Sequence, residues 1–182
     1  MFIHEMFQQK PCVFSVEVFP PKKAGAAEET LYPVLRELCT LGPDYISVTY
    51  GAGGGTAGQS TAKIASYIKN GLHVEALAHL TCVNSTRVQV EETLTRLRED
   101  NVENVLALRG DINPDLPRRM DFLHASDLAK AIAQTGGFGV AGACYPEGHV
   151  ESPSLKADVE SLRYKAEAGV SHLITQLFFD NV

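Results

Sequence analysis

Six short apolar runs alternate with helical patterns along this chain, and that alternation constrains the fold more than any other feature. In the helical patterns, leucine, isoleucine and valine recur three or four residues apart, as at Val90, Leu94 and Leu97. Strict alternation of strands and helices predicts a parallel sheet whose strands are joined by right-handed helical crossovers. The predicted strands lie in VFSVEVFPP, YISVTYGAGGG, VEALAHLTC, NVLALRGD, GVAGACYPEGH and HLITQLFFD.

The spacing of these runs favours a barrel. Each strand–helix unit takes about 30 residues, as a βαβ repeat does. No G-x-G-x-x-G sequence follows the first strand, which disfavours a dinucleotide-binding Rossmann domain. The sequence therefore predicts an α/β fold of the (β/α)8 TIM-barrel type. A full barrel needs roughly 250 residues, so we interpret residues 1–182 as one incomplete domain, truncated to about six βα units.

The composition argues against several classes of partner and site. The formal net charge is −6 and no basic run occurs, which argues against nucleic acid as a partner. The apolar runs are too short to span a membrane, and the N-terminal MFIHEMFQQKP is too polar for a secretory signal. The four cysteines form no C-x-x-C pair, which is typical of reduced thiols in the cytoplasm. We therefore expect a cytoplasmic protein without a metal site.

Polar side chains occur where each predicted strand ends. In parallel α/β proteins the ligand binds at the carboxyl ends of the strands. These strand ends therefore outline one site, and their polar residues are Glu17, Thr49, His79, Asp111, Tyr145 and Gln176.

The first three strand ends each allow two interpretations. Glu17 lies between Val16 and Val18, where apolar surroundings would suit a general acid; a strand glutamate paired with a basic residue is the alternative. The glycines at 51 and 53–55 would let the backbone approach a ligand closely, or would form only a flexible loop. His79 is either a core histidine or a ligand contact, and it lacks the neighbours of a zinc site.

The later strand ends suit an anionic, aromatic ligand. In Arg109-Gly110-Asp111, the arginine suits a phosphate and the aspartate suits a polarised ring or a cation. A local ion pair in the loop is the alternative for this pair of charges. Tyr145 offers a flat face for stacking. Gln176 lies inside the last apolar run, where a buried amide requires partners from the protein or from a ligand.

The helical pattern after the fifth strand has two faces. Leu155 and Val159 belong to an apolar stripe, and the polar residues three and four positions apart share a different face. A solvated face is the simplest interpretation of these polar residues, and a ligand-facing surface is the alternative. The polar residues are Asp158, Ser161 and Lys165.

Taken together, six segments of the chain resemble the methylenetetrahydrofolate reductase family, flavin enzymes of one-carbon metabolism. They run in barrel order from about Phe14 to Asp180. A single segment of this length arises by chance, whereas all six in this order at barrel spacing form a specific signal. The segments are E-x-F-P-P, S-V-T-Y-G-A, H-L-T-C, A-L-R-G-D, Y-P-E-x-H and I-T-Q-x-F-F-D.

The resemblance implies a barrel that holds FAD, is reduced by NADH or NADPH, and passes a hydride to 5,10-methylenetetrahydrofolate. It implies two catalytic residues: Glu17, the general acid that helps to open the folate ring, and Asp111, near the flavin pyrimidine and the pterin. Gln176 and Asp111 would contact the substrate. The residues that it assigns to FAD are Thr49, Tyr50, Ala52, His79, Arg109, Gly110, Asp111, His124, Tyr145, His149, Asp158, Ser161 and Lys165.

The sequence departs from the family pattern in two respects. His124 stands where many relatives have tyrosine, so we expect a different flavin contact there. The last two barrel units, which the family uses for folate contacts and barrel closure, are missing, so we expect open sheet edges and a homo-oligomer. Two alternatives remain: an inactive fragment or subunit that requires a partner chain, and another pterin-binding barrel enzyme such as a methyltransferase or an aldolase.

Overall fold

Strands and helices alternate in the computed structural model, which describes residues 1–21, 23, 25–50, 57–112 and 119–179. The π-helical turn Tyr67–Gly71 directly follows the helix Ala57–Ser66. The strands are β1 (Ser15–Val18), β2 (Tyr45–Val48), β3 (Glu75–Thr81), β4 (Asn104–Leu108), β5 (Gly139–Cys144) and β6 (His172–Thr175). The helices are α1 (Ile3–Gln9), α2 (Ala27–Thr30), α3 (Tyr32–Cys39), α4 (Ala57–Ser66), α5 (Arg87–Glu99), α6 (Ala125–Thr135) and α7 (Leu155–Glu167).

The strands form one parallel sheet in which each strand pairs with its neighbour in sequence, in the order β1-β2-β3-β4-β5-β6. This is the order of a (β/α)8 barrel, whereas a doubly wound sheet reverses its order at a switch point. The described elements form a curled half-barrel of six parallel strands that alternate with helices, which confirms the predicted α/β fold of TIM-barrel type in truncated form. Because all strands are parallel, their carboxyl ends lie along one edge.

The larger apolar cluster lies between the sheet and the helices. Val105 and Val140 point outward from β4 and β5, and they belong to the same buried cluster as Leu94 of α5 and Ile132 of α6. Each of these four side chains is at most 2% exposed. Full burial of an aliphatic side chain of this size contributes about 2 kcal/mol to the stability of the fold. The predicted helical patterns therefore mark the faces that pack on the sheet, except in α7.

The smaller apolar cluster lies inside the curl, and α1 covers it. Ile3 and Met6 of α1 pack there with Leu77 of β3 and Leu106 of β4. The side chain of Asn104, at the amino end of β4, accepts a hydrogen bond from the backbone N–H of Ile3 at 2.9 Å. The helix α1, to which the sequence patterns assigned no role, therefore lies across the amino ends of the strands and leaves the carboxyl ends accessible.

Helix α7 packs with the face opposite to the one its apolar stripe suggested. Leu155 and Val159 are 56% and 58% exposed, whereas Asp158 is buried. Lys165 Nζ donates a hydrogen bond to the carbonyl oxygen of Ala143 in β5, at 2.5 Å. The simplest interpretation of the polar face, as solvated, is therefore wrong. Periodicity separates two faces of a helix but does not say which of them meets the sheet.

Candidate active site

The candidate site lies along the carboxyl edge of the sheet. β1 to β3 contribute inward-facing polar side chains, and the segments after β4 and β5 contribute a charged turn and a loop. The loop between β5 and α7, residues 145–154, is named the β5–α7 loop below. The predicted site residues that take part in this arrangement are Glu17, Thr49, Tyr50, His79, Arg109, Gly110, Asp111, Tyr145, His149, Asp158, Ser161 and Lys165.

Glu17 and His79 meet inside the curl. The register pairs Glu17 with Ser47 of β2, and the Ser47 hydroxyl donates a hydrogen bond to Glu17 Oε2 at 3.3 Å. His79 Nε2 lies 3.5 Å from the same carboxylate oxygen. The Glu17 side chain is 48% exposed, so the expectation of a semi-buried acid between two valines is wrong for this structure. Short β-branched neighbours on the opposite strand face do not bury a glutamate that points into the mouth of the curl.

His79 is neutral at pH 7 in this environment. Burial lowers the pKa of His79 to about 4, because the imidazolium loses its hydration. The nearby Glu17 carboxylate opposes this effect, but it is half solvated and makes no hydrogen bond to the ring. Among the described residues, His79 Nε2 is buried without a hydrogen-bond partner. A buried polar atom of this kind is usually satisfied by protein, water or a ligand.

The turn after β4 is fixed by its backbone. The carbonyl oxygen of Arg109 accepts hydrogen bonds from the N–H groups of Cys82 and Val83, at 3.1 and 2.8 Å. Gly110 has a φ of +84°, and a Cβ there would lie 3.0 Å from Thr81 Cβ. Both the left-handed backbone and the close approach to β3 require glycine at this position. The turn therefore fixes the backbone position from which the Arg109 side chain extends.

Arg109 makes a bidentate ion pair with Glu151 of the β5–α7 loop. Nη1 donates to Glu151 Oε2 at 2.6 Å, and Nη2 donates to Glu151 Oε1 at 2.7 Å. The hydrogen bonds that Arg109 donates to Glu151 raise the pKa of Arg109, and the charge of Asp111 contributes in the same direction. Asp111 itself is exposed at the rim. The ion pair of Arg109 is therefore made with the next loop of the barrel and not, as the local alternative had it, with Asp111 of its own turn.

The β5–α7 loop is held together by short contacts between predicted site residues. The rings of Tyr145 and His149 meet edge to face, with centroids 4.7 Å apart. The N–H of His149 donates to Asp158 Oδ2 at 3.2 Å, and the N–H of Glu151 donates to His149 Nδ1 at 3.1 Å. Burial raises the pKa of Tyr145, and the charge of Asp111 adds to it. The loop thus links the turn after β4 to helix α7.

The polar face of α7 points into the site. Asp158 is 9% exposed, and Ser161 donates a hydrogen bond through its hydroxyl to the carbonyl oxygen of Asp158 at 2.6 Å. Burial lowers the pKa of Lys165, whereas the neighbouring Asp158 opposes that change. The three residues predicted from helical spacing therefore lie on the same face of α7. The ammonium group of Lys165 contacts the carboxyl end of β5.

The segment after β2 is only partly described. The N–H of Thr49 donates to the carbonyl oxygen of Val18 at 3.0 Å, and the carbonyl oxygen of Thr49 accepts from the Thr61 hydroxyl at 2.9 Å. Tyr50 is partly buried against the larger apolar cluster. Ala52, predicted as an FAD contact, and the glycines around it lie outside the described residues.

Gln176 and His124 are both exposed, and each has a backbone contact close to a strand end of the site. Gln176 is exposed, so the prediction of a buried amide is wrong; its N–H donates to the carbonyl oxygen of Cys144 at 2.8 Å. β6 is the last described strand of the sheet, and no described strand covers its other side. His124 is exposed at the start of α6, where its N–H donates to Asp127 Oδ2 at 2.9 Å.

Sequence reasoning missed two residues of the site. Ser47 lies two positions after Tyr45 in β2, on the inward face, so strand alternation alone would have paired it with Glu17. Glu151 lies two positions after the last residue of the Y-P-E-x-H segment. In sequence, Glu151 is only a carboxylate in the loop after β5. Its pairing with Arg109 could be predicted only if the strand order, which makes this loop the neighbour of the turn after β4, were already known.

The arrangement suits a ligand that has both aromatic rings and phosphate groups. Arg109 and Lys165 are positive, Tyr145 presents a ring, and His79 presents a neutral imidazole. Within the described ranges, no group of three or more His, Cys, Asp or Glu side chains is placed to hold a metal ion. The described helices also include none with the length and apolar character needed to cross a membrane.

Comparison with protein families gives a match over almost the whole chain. The family described as methylenetetrahydrofolate reductase matches residues 2–181. A 5,10-methylenetetrahydrofolate reductase from Pectobacterium carotovorum subsp. carotovorum is 39% identical over 91% of this chain and 54% of its own length. The enzyme of that name from Escherichia coli (strain K12) is 36% identical over 91% of this chain and 55% of its own length.

A plant relative shows a similar level of identity. Methylenetetrahydrofolate reductase (NADH) 1 from Arabidopsis thaliana is 35% identical over 98% of this chain and 32% of its own length. The chain therefore spans about half the length of the bacterial relatives and a third of the plant protein.

Solved structures share the fold at low identity. Oxaloacetate acetylhydrolase has a TM-score of 0.65 at 12% identity, over 98% of this chain and 63% of its own. A 2,3-dimethylmalate lyase has a TM-score of 0.61 at 13% identity, over 97% of this chain and 62% of its own. At such identity the likeness concerns the barrel architecture alone.

Proposed function

This chain belongs to the methylenetetrahydrofolate reductase family, and on that basis we propose that it forms the FAD-binding part of a reductase for 5,10-methylenetetrahydrofolate. Bound FAD would accept a hydride from NADH or NADPH and deliver it to the one-carbon unit of the folate, giving 5-methyltetrahydrofolate. The protein would bind and orient the reactants and hold the proton that the reaction requires.

The single observation that best supports the proposal is the orphaned nitrogen of His79. It is buried, neutral at pH 7 and faces the mouth of the curl without a hydrogen-bond partner among the described residues. A polar edge of a bound flavin would satisfy it. The residues present therefore fit the cofactor.

The rim of the site divides into regions for the parts of the cofactor. Arg109 suits the pyrophosphate, because a guanidinium is permanently charged and carries several N–H donors for phosphate oxygens. Asp158 and Lys165, on the inward face of α7, suit ribose hydroxyls and a phosphate. Tyr145 suits a ring, and Asp111 would lie near the flavin pyrimidine and the pterin.

Glu17 would supply the proton in this proposal. Its carboxyl group stands at the mouth of the curl with one oxygen near Ser47 and His79. A proton held on that group would go to the folate nitrogen as the five-membered ring opens, which prepares the one-carbon unit for the hydride. A neutral His79 beside it forms no ion pair with the Glu17 carboxylate.

A homo-oligomer, or a complex with a further polypeptide, is the second part of the proposal. Helix α7, strand β6 and the segment after it expose large apolar side chains: Leu155, Val159, Leu173, Leu177 and Phe179. Apolar groups clustered at a sheet edge favour association. Sedimentation velocity of the purified chain would report self-association, and a monomer at all concentrations would contradict the homo-oligomer.

Titration of the 182-residue protein with FAD tests the function. We expect one FAD bound per chain, and folate-dependent oxidation of NADH or NADPH, each nucleotide assayed separately. Lys165→Met should weaken FAD binding because it removes the positive charge at β5. Lys156→Met is the matched control on the same helix, because Lys156 is exposed. Absence of FAD binding, or equal effects of the two substitutions, would contradict the proposal.

A further inference from the structure

We infer that Glu151 is a positioning residue, which orients Arg109 so that the guanidinium meets the pyrophosphate of a bound dinucleotide. The inference rests on the proposed function, because it concerns the site proposed for FAD. Glu151 acts through Arg109 rather than by touching the cofactor, and its role is visible only in the pairing of two loops.

The backbone of Arg109 is fixed before its side chain is considered. Its carbonyl oxygen binds two N–H groups at the end of β3, and Gly110 turns the chain directly after it. An arginine side chain nevertheless has several rotatable bonds, and holding it in one conformation costs side-chain entropy. A second contact is needed to hold the guanidinium plane in place.

Glu151 provides that contact with a fork of two short hydrogen bonds. The two carboxylate oxygens take one N–H from each Nη atom, and Nε donates to the carbonyl oxygen of Gly110 at 3.2 Å. Two parallel hydrogen bonds fix both the direction and the plane of a guanidinium. The second N–H of Nη1 and the second N–H of Nη2 have no hydrogen-bond partner among the described residues. They point to opposite sides of the guanidinium, so each is available to a separate phosphate oxygen.

The carboxylate is itself held from the other side. The N–H of Glu151 binds His149 Nδ1, and the N–H of His149 binds Asp158 of α7. The chain of contacts Arg109, Glu151, His149 and Asp158 therefore joins the turn after β4 to α7. Three of these four residues are proposed FAD contacts, and Glu151 is the link between them.

A different role is conceivable for the same geometry, and it makes the opposite prediction. If Glu151 occupied Arg109 in place of an anion, then a ligand would have to displace it, and its removal would strengthen binding. The pair lies at the rim, with Arg109 22% and Glu151 52% exposed. Because the pair leaves N–H groups of both Nη atoms unused, phosphate binding does not require it to break. This favours positioning over competition.

The test compares flavins with and without a pyrophosphate. Glu151→Gln keeps the shape of the side chain and removes its charge; Glu160→Gln, on the exposed face of α7, is the matched control. FAD and riboflavin are titrated into each full chain and followed by flavin fluorescence. We expect Glu151→Gln to weaken FAD binding about tenfold, as loss of a charge-assisted contact does, and to leave riboflavin binding unchanged.

Two further variants separate positioning from folding. In an Arg109→Met background, Glu151→Gln should cause no additional loss of FAD affinity, because its effect passes through the arginine. Glu151→Asp keeps the charge but is too short to form the same fork, so we expect a smaller, roughly threefold loss for FAD alone. This variant replaces Glu151→Gln if the latter does not fold.

The outcomes are distinct. Tighter FAD binding by Glu151→Gln, unchanged FAD binding, or an equal loss for riboflavin would each overturn the positioning role while the proposed function stands. A parent chain that binds no FAD would overturn both.

Discussion

Lowering the pH should destabilise the folded chain through His79. Burial lowers the pKa of His79 to about 4 in the folded state, whereas a histidine in the unfolded chain titrates near 6.5. The folded-state pKa is therefore the depressed one, and the unfolded chain binds the proton more readily. The stability that this residue contributes is complete above about pH 6.5 and is lost as the pH falls toward 4.

The size of the effect follows from the pKa difference. Between pH 7.5 and pH 5, protonation of His79 in the unfolded chain lowers the free energy of unfolding by about 2 kcal/mol. Between pH 7.5 and pH 4 the loss is roughly 3 kcal/mol. His79 is only 8% exposed, so solvent screens little of this penalty. The Glu17 carboxylate at 3.5 Å favours the imidazolium and makes these values upper limits. A loss of this size is a large part of the stability of a small domain.

Urea denaturation at pH 7.5 and at pH 5.0 measures the effect, with His79→Gln as the comparison. Glutamine cannot take up the proton, so the variant should lose about 2 kcal/mol less than the parent between the two pH values. Burial also lowers the pKa of His172 to about 4, but His172 is present in both proteins and its contribution cancels. Equal losses in parent and variant would refute the reasoning.

Three substitutions test other parts of the site. Glu17→Gln should leave FAD binding and its reduction by NADH or NADPH intact but stop folate reduction, because an amide has no proton to transfer; normal folate turnover would remove Glu17 from the mechanism. Asp111→Asn should raise the flavin midpoint potential in dye-equilibration titrations, because a nearby carboxylate disfavours the anionic reduced flavin; an unchanged or lower potential would place Asp111 away from the ring. Gly110→Ala should lower the unfolding free energy by about 2 kcal/mol. Gly136→Ala is its control, with a similar positive φ but no atom within 4 Å of the new Cβ, and an equal loss there would show that contact with Thr81 is unimportant.

The fold could be predicted from sequence because both periodicities are local. Continuous apolar runs such as NVLAL mark strands that are buried on both faces, and helices like α5 show their inward face in Val90, Leu94 and Leu97. Their alternation leaves few topologies. Helix α1 escaped notice because its two buried residues, Ile3 and Met6, are too few to form a recognisable stripe.

The site was only partly predictable because burial and pairing depend on distant parts of the chain. The apolar surroundings of Glu17 in sequence are not its surroundings in space, where its side chain faces the open mouth of the curl. Gln176 lies among apolar residues in sequence but in an exposed segment after β6. Glu151 is 42 residues from Arg109, and only the barrel order brings them together.

The orientation of helix α7 also could not be predicted from its sequence. Its apolar residues are more conspicuous in sequence than Asp158 and Lys165, yet the polar residues are the ones that meet β5. A polar face directed inward is costly unless each group finds a partner or a ligand. Here Lys165 and Asp158 have such partners in the carbonyl oxygen of Ala143 and the N–H of His149.

A crystal structure of the chain with FAD would test the central claim most directly. The account predicts density for the cofactor at the carboxyl edge of the sheet, with a flavin atom within hydrogen-bond distance of His79 Nε2 and the pyrophosphate on Arg109. The Arg109–Glu151 pair should remain intact beside it. FAD bound elsewhere, for instance in the groove between α5 and α6 lined by Arg87 and Phe122, with the carboxyl edge empty, would contradict the account.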